Sequence, residues 1–209
     1  MAAPHRVVLI GPECTGKTTL ARGLAAALGA PWTPEAARLV AEASLAPLSA
    51  ATVEPIATLA IALDDAARAT AAPCLVYDTD LVSTVVYARH YYGTCPSWIV
   101  DEARARRADR YLVCLPDLPW RGDGVRDRPD ARHELLRAFL EALDTIGARP
   151  AQGSGTGAGR RAAARAALDP SGARPALVSG TGAGRLAAAR AALGGRSTRR
   201  PSAPPRRRC

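Results

Sequence analysis

One stretch of this 209-residue chain stands out for chemistry: Gly11-Pro12-Glu13-Cys14-Thr15-Gly16-Lys17-Thr18, followed by Thr19. It has the form GxxxxGK[ST], a loop whose backbone N–H groups and helix N-terminus cradle the phosphates of a nucleoside triphosphate. The glycines let the backbone turn and approach without a Cβ. Lys17 supplies a compact charge for the β- and γ-phosphates, and Thr18 a hydroxyl for Mg²⁺. Lys17 is the single lysine of the chain, every other basic residue being Arg. Cys14 inside the loop reads as a serine-sized filler rather than a reactive thiol. The loop specifies a triphosphate but not the group that accepts the phosphoryl.

Three further groups bear on the acceptor. Tyr77-Asp78-Thr79-Asp80 closes an apolar run. At that edge of a parallel sheet a carboxylate can reach Mg²⁺ or a substrate hydroxyl, although Asp80 or Thr79 can equally cap a helix. Glu35 and Arg38 lie three apart, on one face of a helical turn. They can serve as proton acceptor and phosphate ligand, or form a plain ion pair. Pro119-Trp120-Arg-Gly-Asp123-Gly124-Val-Arg126, with Arg128 and Arg132 beyond, reads as a lid whose arginines close over the transferring phosphoryl.

The elements that must position these groups follow from periodicity. Buried strands are expected at 6–10, 74–78 and 111–115, and a short extended piece at 31–33. Helices are expected at 17–28 (Leu20, Leu24 and Leu28 inward), 35–43, 55–70 (Ile56, Leu59, Ala60, Leu63), 81–91, 97–107 and 131–146 (Leu136, Phe139, Leu140, Leu143). Apolar strands alternating with helices predict an α/β fold, a three-layer sandwich of parallel sheet with helices on both faces.

Composition agrees. Hydrophobic residues make up 48% and aromatics only 4%, so the core rests on Ala, Leu and Val. The net charge of +9 resembles a nucleic-acid binder until the chain is divided. Residues 1–147 carry 15 basic and 18 acidic groups, a net of −3; residues 148–209 carry 13 basic groups and Asp169, a net of +12. Five separated cysteines form neither a zinc pattern nor a disulfide framework. No run reaches the ~18 apolar residues of a membrane span, and the N-terminus lacks signal-peptide architecture, so the cytoplasm is the expected compartment.

A 25-residue repeat marks the C-terminal third: Ser154–Arg160 returns as Ser179–Arg185, and Ala162–Leu168 as Ala187–Leu193. The second copy has Leu177-Val178 where the first has Gln152-Gly153, so residues 175–193 are expected to dock on the domain and 148–172 to form a duplicated insertion. The domain is thus expected to span 1–194. Residues 195–209, with six Arg and three Pro, read as a disordered tail.

In its order of motifs the chain resembles the NadR-type ribosylnicotinamide kinase domains, a branch of the P-loop kinase-like AAA ATPases. The resemblance rests on Gly11–Ala21, Trp32-Thr-Pro-Glu-Ala-Ala-Arg38, Asp78-Thr-Asp80 and Pro116-Asp-Leu-Pro-Trp120…Asp123-Gly-Val-Arg126, with Arg132 beyond. It covers residues 5–146 and one repeat copy. It implies ATP-dependent phosphorylation of the 5′-hydroxyl of nicotinamide riboside, with ATP and Mg²⁺ as cofactors. Glu35 and Asp78 then share the roles of base and metal or ribose ligand. Arg126 and Arg132 act from the lid, and Arg38, Asp80 and Asp123 border the substrate. Trp120 or Trp32 stacks on the pyridinium ring. Cys14 departs from the family's usual Ser, and no adenylyltransferase domain precedes the loop, so a single activity is expected.

Three classes of function remain distinct. A small-molecule kinase acting on a nucleoside-like acceptor leads, with another nucleoside or metabolite as the nearest variant. An ATP-binding regulator predicts binding without turnover. Nucleic-acid binding through the arginine tail predicts only non-specific, salt-sensitive attraction, because the tail lacks aromatics for base stacking.

Overall fold

A computed structural model describes residues 4–44, 46–118, 131–148, 176–178 and 186–187. Residues 119–130, where a lid is expected, with Trp120, Asp123 and Arg126, lie outside these, as do the first repeat copy and the C-terminal residues 195–209.

Among the described residues, five parallel strands form one sheet: β1 (His5–Ile10), β2 (Trp32–Thr33), β3 (Cys74–Asp78), β4 (Arg110–Cys114) and β5 (Ala176–Val178), in the order β2-β3-β1-β4-β5. The helices are α1 (Lys17–Leu28), α2 (Ala36–Ala43), α3 (Val53–Ala69), α4 (Leu81–Tyr92), α5 (Ser97–Ala105) and α6 (Arg132–Thr145). No described helix is long and apolar enough to cross a membrane.

Strand alternation sends side chains to two cores. Val7, Leu9, Val76, Leu112 and Cys114 pack with Leu20, Ala21, Leu24 and Ala25 of α1. Val8, Ile10, Leu75, Tyr77, Tyr111 and Val113 face the larger cluster built with α3 to α6. Both sheet faces are thus covered, which explains why the strands read as unbroken apolar runs.

Several inward stripes differ from periodicity. Leu28 is 40% exposed, because α1 ends immediately at Gly29, in the left-handed conformation. In α6 the fully buried leucines are Leu135 and Leu143, with Leu136 and Leu140 partly buried. In α3 the buried positions include Val53, Ile56 and Ala57, whereas Ala60 and Leu63 are only partly buried; Val53, Ile56, Ala60 and Leu63 all border a cavity.

From the second repeat copy, Ala176–Val178 pair in parallel with Leu112–Cys114. Leu186 packs on the α1-side core.

The strand order reverses direction at β1, between β3 and β4. The chain leaves β1 for β2 on one side and leaves β3 for β4 on the other. In such sheets ligands bind beyond the strands' carboxyl ends at that point. The register Leu9↔Asp78 places the last residue of β3 there. At the same edge Gly11 has φ +137, and a Cβ on it would lie 2.5 Å from the carbonyl oxygen of Cys114. Gly11→Ala should therefore cost about 2–4 kcal/mol through backbone clash and strain, read as a lowered Tm in circular dichroism. An unchanged Tm would mean that β1 and β4 do not approach this closely.

Candidate active site

The loop after β1 is shaped by backbone conformations most side chains avoid. Cys14 has φ 52 and Gly16 φ 74, both left-handed. For Cys14 this costs about 1–2 kcal/mol, strain of the kind held at ligand-binding turns. Gly16 caps α1 without a side-chain hydrogen bond, and the first turn carries no acid. The N–H groups and positive end of α1 are left to an anion. Lys17, only 6% exposed, donates from Nζ to the Pro12 carbonyl at 2.7 Å. Thr15 Oγ1 donates to the same carbonyl at 2.8 Å. Two side chains thus converge on one oxygen and hold the loop closed. Thr19 is exposed and Cys14 half-buried.

Thr18 Oγ1 donates to Asp78 Oδ2 at 2.5 Å, joining the first turn of α1 to the end of β3. Asp78 is buried. The next residue, Thr79, is left-handed at φ 72, and its N–H donates to Leu9 O at 3.0 Å. The chain turns sharply after Asp78 and enters α4 through Asp80. Asp80 Oδ1 caps that helix by accepting from Val82 N at 3.0 Å. Its Oδ2 accepts from the Tyr111 hydroxyl at 2.7 Å. Both carboxylate oxygens of Asp80 thus take part in holding α4 on the sheet. Burial pushes its pKa up to about 6, against the opposing pull of the Tyr111 and Val82 hydrogen bonds and of Arg6.

A cavity of about 1000 Å³ opens beside this edge, on the α3–α4 face of the sheet. Thr33, Glu35, Thr79, Asp80, Tyr87 and Tyr91 are among its lining residues. Glu35 is buried and occupies the cap position of α2 without a side-chain capping bond. Arg38 Nε lies 3.9 Å from Glu35 Oε2, with its own side chain 38% exposed. The pair is therefore a loose i,i+3 contact with the arginine turned outward. Trp32 does not border the cavity. Its ring lies in the α1-side core under the Arg22 guanidinium at 4.6 Å, because Trp32 and Thr33 point to opposite faces of one strand. Arg132 donates to the carbonyls of Leu118 at 2.9 Å and Pro116 at 3.3 Å, so it braces the segment leading from β4 toward residue 119.

The far end of the cavity holds a charged network that motif reading missed. Asp64 accepts from Tyr77 OH at 2.8 Å, Arg68 Nε at 2.9 Å and an Arg106 nitrogen at 3.0 Å. Burial raises the Asp64 pKa, but these hydrogen bonds prevail and hold it below the usual carboxylate value. Motif reading also missed Tyr87 and Tyr91, whose i,i+4 spacing on α4 was the available signal. Glu13, within the phosphate loop, buries its carboxylate and accepts from Tyr91 OH at 2.7 Å.

Residues 6–160 match the model of the AAA domain family. The chain belongs to this family. No curated protein matches it. Among solved structures, this AAA domain resembles a NadR protein in complex with NR, with 26% identity and a TM-score of 0.56, covering 69% of this chain and 41% of that one. A NadR protein in complex with NAD and AMP-PNP shows 21% identity and a TM-score of 0.62, covering 94% and 51%. Thymidylate kinase from Ehrlichia chaffeensis shows 14% identity and a TM-score of 0.51, covering 71% and 85%. The AAA domain thus has a P-loop kinase fold of the NadR type, and it spans about half the length, or less, of the NadR chains it matches.

Titration of Asp80 gives this domain a pH signature. With its folded pKa raised, Asp80 keeps a proton that the unfolded chain has lost between about pH 4 and 6. Its contribution to stability is therefore full below pH 4 and is lost as the pH rises toward 6. Asp80→Asn keeps a capping oxygen and removes the titration. The Tm of the variant relative to the parent should rise from pH 4 to pH 7; a flat difference would contradict the assignment.

Proposed function

We propose that this domain is an ATP-dependent small-molecule kinase that phosphorylates the 5′-hydroxyl of nicotinamide riboside. The observation that carries this reading is the shared edge: the phosphate loop meets Asp78 through Thr18, and the cavity begins at the adjoining Thr79. A cavity of about 1000 Å³ accommodates a nucleoside. Its lining of Glu35, Asp80, Tyr87 and Tyr91 suits a cationic aromatic ring, which carboxylates and tyrosine faces attract. The likeness to the NadR protein in complex with NR supports the same acceptor.

In this reading the loop from Gly11 to Thr19 binds the triphosphate, and Lys17 leaves the Pro12 carbonyl for the β- and γ-phosphate oxygens. Thr18 and Asp78 offer two hard oxygens 2.5 Å apart, a donor set that fits Mg²⁺ and would hold it. Bound there, Mg²⁺ supplies charge neutralisation on the β- and γ-oxygens. Glu35, buried at the start of α2 and bordering the cavity, takes the proton of the acceptor hydroxyl in this reading. That oxygen bonds to the γ-phosphorus as the bond to the β–γ bridging oxygen breaks, and ADP leaves. By the resemblance, Arg126 and Arg132 would neutralise charge on the phosphoryl, Arg132 from the first turn of α6, and Trp120, Asp123 and Arg38 would contact the substrate.

The test is incubation with Mg·ATP and nicotinamide riboside, with nicotinamide mononucleotide detected by mass. Product should form, and Lys17→Ala should lower kcat by about 10²–10³-fold. Glu35→Gln should lower kcat by a similar factor with little change in acceptor KM. ATP binding with no product would displace nicotinamide riboside in favour of another acceptor, or of a regulator that binds without turnover.

A further inference from the structure

A carboxylate is an unexpected guest in a loop built to hold phosphates, yet Glu13 sits there with 1% of its surface exposed. Burying it is costly without a partner. One partner comes from far along the chain: Tyr91, in the last turn of α4, donates its hydroxyl to Glu13 Oε1 at 2.7 Å. Tyr91 also borders the cavity. Its ring stacks on Tyr87, with centroids 6.2 Å apart, and Tyr87 meets Phe139 of α6 edge-on at 5.6 Å. A displacement of the loop at Glu13 therefore reaches Tyr91, the cavity wall and the α4–α6 packing through contiguous contacts.

We infer that the Glu13–Tyr91 hydrogen bond couples the phosphate loop to the acceptor cavity, with Tyr91 as the positioning residue that sets the cavity wall according to nucleotide occupancy. This rests on the reading of the loop as a nucleotide site, but not on which acceptor is used. Phosphate oxygens entering between the loop amides repel a carboxylate in the same loop, and the tyrosine hydroxyl holds that carboxylate on the α4 side. Coupling of this kind is reciprocal, so an occupied cavity tightens the loop on its nucleotide by the same factor.

Hydrogen–deuterium exchange of the full chain, with and without Mg·AMP-PNP, tests the link without any acceptor. In the parent protein the nucleotide should slow exchange in residues 87–93 by about fivefold or more, the lower end of ordinary coupling. Tyr91→Phe keeps the ring and loses the hydroxyl; its response there should fall below about twofold while AMP-PNP still raises its Tm. Glu13→Ala removes the bond from the loop side and should give the same loss. Glu13→Gln keeps a carbonyl oxygen for the hydroxyl but loses the charge that the phosphates repel, so its response should fall between those of the parent and Glu13→Ala, and a response equal to the parent's would overturn the repulsive drive. A Tyr91→Phe protein that responds like the parent overturns the link, and so does a parent that binds AMP-PNP with no change in residues 87–93. If AMP-PNP raises no Tm at all, the nucleotide reading itself fails first.

Discussion

The pairing of β1 with β3 is the constraint on which the rest of the site depends. Its register sets Leu9 opposite Asp78, and the loop leaving β1 returns Thr18 to within 2.5 Å of that carboxylate. A slip of one residue would turn every side chain of β3 to the other face. Asp78 would then leave Thr18, and Tyr77 would leave Asp64. The close approach of Gly11 to Cys114 fixes the other flank of β1. The central strand is thus held on both sides at the point where the strand order reverses.

Strain and burial accumulate around that point in a consistent way. Cys14 and Thr79 both adopt left-handed backbones, one in each of the two turns that meet at Thr18 and Asp78. Each conformation costs stability, and each is offset by hydrogen bonds that the turn makes possible, such as Thr79 N–H to Leu9 O. Asp80 shows the same trade. It is held protonated to higher pH by burial; it caps α4 through Val82 and ties that helix to β4 through Tyr111. The wall of the cavity therefore stands on a polar anchor rather than on apolar contact alone.

Much of this was legible in the sequence because local chemistry dictates it. GxxxxGK[ST] between an apolar run and an amphipathic helix admits few conformations, and the loop, β1, β3 and β4 lie where periodicity puts them. Strand runs buried on both faces announced a parallel sheet. Less legible were features set by tertiary geometry. Leu28 looks inward by its spacing, but α1 stops before a neighbour can cover it. Trp32 looks like a stacking platform, but strand alternation turns it toward Arg22 and away from the cavity. Asp64, deep in α3, reads as an ordinary helix-surface acid until Tyr77, Arg68 and Arg106 converge on it. Glu13 reads as one more loop residue because its partner lies 78 positions away.

The central claim is that Thr18 and Asp78 together make the metal–nucleotide corner of the site. Calorimetric titration of AMP-PNP, with and without Mg²⁺, against the parent protein and Asp78→Asn tests it most directly. The account predicts that the parent binds about tenfold or more tightly with Mg²⁺ than without it, and that Asp78→Asn loses most of that difference while remaining folded. Binding that is indifferent to Mg²⁺, or an Asp78→Asn protein with the parent's full Mg²⁺ dependence, would contradict it.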